Sequence, residues 1–212
     1  MKITVTNVTK TIKGKEILKN INLKLESGKI YGFVGENGSG KTMLFRAISG
    51  LMRTTQGEIT VDGKVLHKDI KIIPDLGIII ENAGLYPELT GFDNLKLLAK
   101  LNNKIDDAKI REAILRVGLD PSDKRIVSKY SLGMKQRIIL AQAIMEEPKV
   151  LLLDEPTNAL DENGVELIRN IIKEEKEKGA LILIASHNKE DIHVLADEVY
   201  RVKAGTVVKV EE

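Results

Sequence analysis

The run Gly35-Glu36-Asn37-Gly38-Ser39-Gly40-Lys41-Thr42 matches the pattern G-x-x-x-x-G-K-[ST]. Gly35, Gly38 and Gly40 let the backbone turn tightly and approach an oligophosphate without a Cβ in the way. Successive N–H groups then point into one concavity, at the positive end of the helix that follows. Lys41 brings a charge to the β- and γ-phosphates, and the Thr42 hydroxyl can ligate Mg²⁺. A glycine-rich turn with a chance Lys-Thr pair is the competing reading. A buried strand before the loop and an amphipathic helix after it favour phosphate binding, and make all eight residues candidate nucleotide ligands.

A second group is acidic. Val150-Leu151-Leu152-Leu153-Asp154-Glu155 is an apolar strand ending in two carboxylates. In open parallel sheets, ligand chemistry gathers at the carboxyl ends of strands. Asp154 is suited to hold Mg²⁺ or its water, and Glu155 to orient and activate a water for attack on a γ-phosphate. A plain acidic turn is the alternative; the phosphate loop argues against it. The apolar run Leu181-Ile182-Leu183-Ile184-Ala185 ends in Ser186-His187, so His187 belongs beside the same phosphate. His67 and His193 are read as structural or solvated.

These residues need a sheet to position them. Ile3-Thr4-Val5-Thr6 and Ile21-Asn22-Leu23-Lys24-Leu25 alternate as half-buried antiparallel strands do. Lys29 to Val34 is more continuously apolar, as in a strand covered on both faces. Gln56 to Asp62 reads as a further strand, with Asp62-Gly63 as a turn. The middle of the chain is helical: Thr90 to Leu101 with Thr90 and Asp93 as a capping box, Asp106 to Val117 stopped by Gly118, and Leu132 to Met145 ended by Pro148. Strand-helix alternation resumes with a helix from Asp161 to Lys178, a helix from Asn188 to Ala196, and strands near Val199–Val202 and Val207–Val210. The expected class is α/β. A single domain spans residues 1–212, with a catalytic core of 1–81 and 134–212 and a helical subdomain inserted at about 82–133.

Composition narrows the partners. Lys and Arg number 33 against 31 Asp and Glu, a net of +2, so no nucleic acid is expected. There is no cysteine, which excludes disulfides and thiolate metal sites. The first ten residues read as a strand, and no apolar run approaches the roughly 18 residues a bilayer crossing needs. The chain is expected to be soluble by itself, with any membrane part supplied by another polypeptide.

The string Tyr130-Ser131-Leu132-Gly133-Met134-Lys135-Gln136-Arg137 resembles the signature of ABC ATPases. Pro156-Thr157-Asn158-Ala159-Leu160-Asp161 is similar to their D-loop, and His187 to their switch histidine. The resemblance implies a P-loop NTPase cassette with a mostly parallel core sheet, an N-terminal antiparallel β subdomain and the inserted helices. It implies two cassettes, as a homodimer or heterodimer, sandwiching two ATP. Ser131 and Gly133 of one chain would then contact the γ-phosphate held by Lys41 of the other. A separate transmembrane permease would hold the cassette at the cytoplasmic face of the membrane, its short helix in a groove around Glu81 to Leu95.

Three positions depart from the family. The usual Gln is Glu81, which could still face Mg²⁺. The first signature glycine is Leu132. The aromatic residue that stacks on adenine is Ile12, a loss of about 0.5–1.5 kcal/mol of base binding. Glu81-Asn82-Ala83-Gly84-Leu85-Tyr86-Pro87 and Tyr130-Ser131-Leu132-Gly133 are similar to exporters of bacitracin-like and lantibiotic peptides. The leading expectation is the ATP-hydrolysing subunit of an exporter. A soluble ABC ATPase acting on ribosomes or nucleic acid is the alternative, and a small P-loop kinase a third class, which the signature and the Asp154-Glu155 pair oppose.

Overall fold

The computed structural model describes residues 1–80 and 84–210. Its strands are β1 (Lys2–Ile12), β2 (Lys15–Glu26), β3 (Ile30–Val34), β4 (Gln56–Val61), β5 (Lys64–Val65), β6 (Leu76–Ile79), β7 (Val150–Asp154), β8 (Leu181–Ser186), β9 (Glu198–Lys203) and β10 (Thr206–Lys209). Its helices are α1 (Lys41–Ser49), α2 (Gly91–Asn102), α3 (Asp107–Arg116), α4 (Leu132–Ile144), α5 (Glu162–Glu177) and α6 (Lys189–Leu195), with one 3-10 turn at Val127–Lys129.

Two sheets form. One is antiparallel, in the order β2-β1-β4-β5; the other runs β10-β9-β3-β8-β7-β6, parallel except for the edge strand β10. The first hairpin is longer than the sequence suggested. Alternation breaks at register shifts after Val5 and Val8, and Asn7 takes a left-handed φ of 49°. Such irregularities hide a strand from a period-2 reading while leaving it paired. Asp62 and Gly63, with φ of 47° and 81°, make the expected turn between β4 and β5.

The buried parallel strands divide the core by their two-residue period. Leu151, Leu153, Ile182 and Ile184 face a cluster with α2, α3, α4 and α5. Val150, Leu152, Leu181 and Leu183 face α1, β1 and β2. Each long helix away from the phosphate loop starts on a side-chain cap: Thr90, Asp106, Ser131 and Asp161 accept from the third residue on. The capping box at α2 is half formed, since the Asp93 carboxylate accepts the Thr90 hydroxyl.

Strand β6 enters this packing through Gly77. A Cβ there would run into the Ala143 carbonyl oxygen and lie 2.9 Å from Leu151 Cδ1. Gly77→Ala must push α4 off the sheet, at about 1–3 kcal/mol, and should lower the thermal midpoint by about 2–12 °C in a melting curve.

Candidate active site

Three adjacent parallel strands end at one level. Val34 pairs with Ser186, and Asp154 with Ala185. The next residues are Gly35, His187 and Glu155, so register alone gathers the loop, the carboxylate and the imidazole at one edge of the sheet.

The phosphate loop needs its glycines. Gly38 and Gly40 have φ of 77° and 116°. Gly35 packs so closely on the Val202 carbonyl that a Cβ would overlap it. Gly40 is the N-cap of α1 and makes no side-chain capping bond. The first N–H groups of α1 are therefore left to an anion. Lys41, 6% exposed, donates through Nζ to the carbonyls of Gly35 at 2.7 Å and Glu36 at 3.2 Å. Behind the loop, Ser39 O accepts from Gly205 N at 2.9 Å, and Gly205 O accepts from Lys19 N at 2.8 Å.

Thr42 Oγ1 donates to Asp154 Oδ2 at 2.5 Å. This hydroxyl and carboxylate are hard oxygen donors of the kind Mg²⁺ selects. Among the described residues no three His, Asp or Glu side chains gather as a metal cage. A pair of protein oxygens suits an ion that takes its remaining ligands from phosphates and water.

Glu155 takes a left-handed φ of 52°, which turns its side chain out of the strand direction toward β8. Its N–H donates to Ala185 O at 2.8 Å. Its carboxylate accepts from the His187 backbone N–H at 3.0 Å and from Ser186 Oγ at 3.4 Å, and its Oε2 lies 2.8 Å from His187 Nδ1. With Glu155 ionised, Nδ1 carries the proton and Nε2 is an acceptor. Nε2 can then donate to a γ-phosphate only as the imidazolium.

A cleft of about 950 Å³ unites Asn37, Gly38, Gly40, Lys41, Thr42, Asp154, Glu155 and His187. A larger cavity, about 1430 Å³, opens behind the loop between α6 and the β9–β10 hairpin. It contains none of Lys41, Thr42, Asp154 or Glu155, so the smaller cleft holds the chemistry.

Some expected residues lie elsewhere. Ile12 pairs with Lys15 at the end of β1 and does not line the cleft; Ile17, two residues into β2, does. Ile17 carried no aromatic or charge signal to mark it. Ser131 and Gly133 are also outside the cleft of their own chain, although Leu132, 71% exposed, lines it. Ser131 Oγ accepts from Met134 N at 3.2 Å as an N-cap. Glu81 lies outside the described residues. His193 is exposed as expected, whereas His67, with φ of 65°, buries an Nε2 that has no partner among the described residues.

Gln136 belongs to the signature string, but what it touches is revealed only by geometry. Its amide donates to the carbonyls of Glu155 at 3.2 Å and Pro156 at 3.0 Å, tying α4 to the loop after β7.

A family model described as ABC transporter matches residues 18–158. The chain belongs to the ABC transporter family. The cassette binds and hydrolyses ATP, and its fold is that of the P-loop ABC ATPases. It is 53% identical over 195 residues to YybJ of Bacillus subtilis (strain 168), an uncharacterized ABC transporter ATP-binding protein; the match covers 92% of this chain and 89% of YybJ. It is 35% identical over 208 residues to the lantibiotic transport ATP-binding protein SrtF of Streptococcus pyogenes, covering 98% of the cassette and 90% of SrtF. A solved ATP-binding subunit of an ABC transporter superposes with a TM-score of 0.86 at 25% identity, over 99% of the cassette and 90% of that chain.

Proposed function

We propose that the cassette energises a separate transmembrane permease that exports a peptide of the lantibiotic or bacitracin kind. The observation that carries the reading is a hydrolytic half-site, Lys41, Thr42–Asp154 and Glu155–His187, whose signature residues Ser131 and Gly133 stand outside its own cleft. The missing half comes from a second cassette, through its Ser131 hydroxyl, its Gly133 backbone and the N-terminus of its α4. ATP closes the pair, and hydrolysis with product release reopens it.

Residues 35–42 grip the phosphates, and Lys41 leaves the loop carbonyls for the β- and γ-oxygens. Thr42 and Asp154, with Glu81, would hold Mg²⁺, which would supply charge neutralisation for the phosphates. Glu155 takes the proton of the attacking water, and His187 orients Glu155. Ile17 and Ile12 offer the base apolar contact only.

No helix among the described residues is long and apolar enough to cross a membrane. The cassette is proposed to work at the cytoplasmic face of the membrane through its permease. Likeness to SrtF supports a peptide cargo. Gentle detergent extraction should co-purify the cassette with a membrane-spanning protein, and recovery of the cassette without one would count against the reading.

A further inference from the structure

Thr157 stands two residues after Glu155, and Asp191 four residues after His187. The two side chains meet: Thr157 Oγ1 donates to Asp191 Oδ2 at 2.6 Å. The other carboxylate oxygen accepts from Arg169 Nε at 2.9 Å and Nη2 at 2.6 Å. Thr157 is 9% exposed and Asp191 1%. Arg169 extends from α5, beside the buried Ile168, and its Nη1 reaches Glu190 at 3.1 Å. One carboxylate on α6 thus joins the loop after β7 to helix α5.

A buried ion pair is a poor source of stability, because desolvating both charges offsets their attraction. What it supplies is direction. The loop it holds begins at Glu155 and reaches Ala159, both non-glycine residues with positive φ, 52° and 63°. Such conformations persist only where the surroundings over-determine them. The Glu155 N–H bond to Ala185 and the Gln136 amide grip residues 155 and 156. Thr157 adds a further grip, through Asp191. Helix α6 is a short element, and the same carboxylate anchors it to α5. Its first turn follows His187 directly, so Asp191 sets where both loops sit.

We propose that Thr157 and Asp191 are positioning residues for ATP hydrolysis. Their hydrogen bond locks the loop that carries Glu155 to the helix that follows His187, and so sets the 2.8 Å approach of the Glu155 carboxylate to the His187 ring. The inference rests on Glu155 and His187 acting together in hydrolysis, as set out above.

Thr157→Val removes one hydroxyl, keeps the side-chain shape and leaves the Arg169–Asp191 pair in place. Assayed on the full chain well below its thermal midpoint, it should lower kcat roughly 10- to 100-fold while the KM for ATP and equilibrium ATP binding stay near wild type. Thr157→Ser should restore most of the rate. A purely structural contact would lower the midpoint without this split between kcat and KM. Wild-type kcat in Thr157→Val, a Thr157→Ser variant as slow as Thr157→Val, or joint loss of ATP binding and turnover would each overturn the proposal. Glu155→Gln measured alongside separates the two levels. If it turns over like wild type, the hydrolytic assignment falls and the positioning role with it. If it is inactive while Thr157→Val is wild type, only the positioning role falls.

Discussion

Glu155→Gln is expected to keep ATP binding and lose turnover. The amide has the shape of the carboxylate but cannot take a proton from water. The loop should survive the exchange, because Glu155 N–H to Ala185 O and the Gln136 bonds to the carbonyls of residues 155 and 156 are main-chain grips. The amide oxygen can still accept from one of the donors at Ser186 and His187. Lys41, Thr42 and Asp154 are untouched, so the nucleotide grip is intact. A general base contributes about 10²–10⁴ in rate, and kcat should fall by that factor with little change in ATP affinity. ATP-bound pairs of cassettes should then accumulate, visible as a doubled mass in light scattering with ATP and Mg²⁺. Undiminished phosphate release would remove Glu155 from the chemistry.

Lys41→Ala acts one step earlier. The Lys41 ammonium is almost wholly buried and bridges the carbonyls of Gly35 and Glu36. Truncation removes the cation that meets the phosphates and leaves those two carbonyls without it. Removing one partner of a buried charged contact costs about 2–5 kcal/mol, so the Kd for ATP should rise roughly 30-fold to a few thousandfold. Equilibrium binding of a fluorescent ATP analogue reads this directly. Near-wild-type affinity would mean that the backbone N–H groups of the loop and α1 carry the binding by themselves. The two variants together separate grip from chemistry: one loses turnover with nucleotide in place, the other loses the nucleotide.

What could be read from the sequence was local. The phosphate loop is contiguous and its constraints are steric, so Gly38 and Gly40 announced their positive φ. The caps Thr90, Asp106, Ser131 and Asp161 bond to neighbours three residues on. The strand ending at Asp154 is apolar on both faces because both faces are covered. What could not be read was long-range. Gln136 meets residues 155 and 156 because α4 lies over the end of β7, and a glutamine inside a helix carries no mark of that. Thr157 and Arg169 find Asp191 across intervals of 34 and 22 residues. Ile12 and Ile17 differ in whether they meet the cleft only through the turn at Lys13 and Gly14, both at positive φ. The extent of β1 and β2 was obscured by the register shifts that let the hairpin stay paired.

The seam at Gly205 bears on how the cassette comes into being. Gly205 N–H holds the Ser39 carbonyl, its own carbonyl holds Lys19, and a Cβ there would collide with the Ile17 carbonyl. The back of the phosphate loop is thus braced by the hairpin β9–β10, made after every other part of the site. A chain still leaving the ribosome can carry residues 35–42, Asp154, Glu155 and His187 and yet lack the strut that fixes the loop. The nucleotide grip is then expected to depend on the β9–β10 hairpin as well as on residues 35–42, so a chain in which that hairpin has not yet paired should hold ATP less firmly.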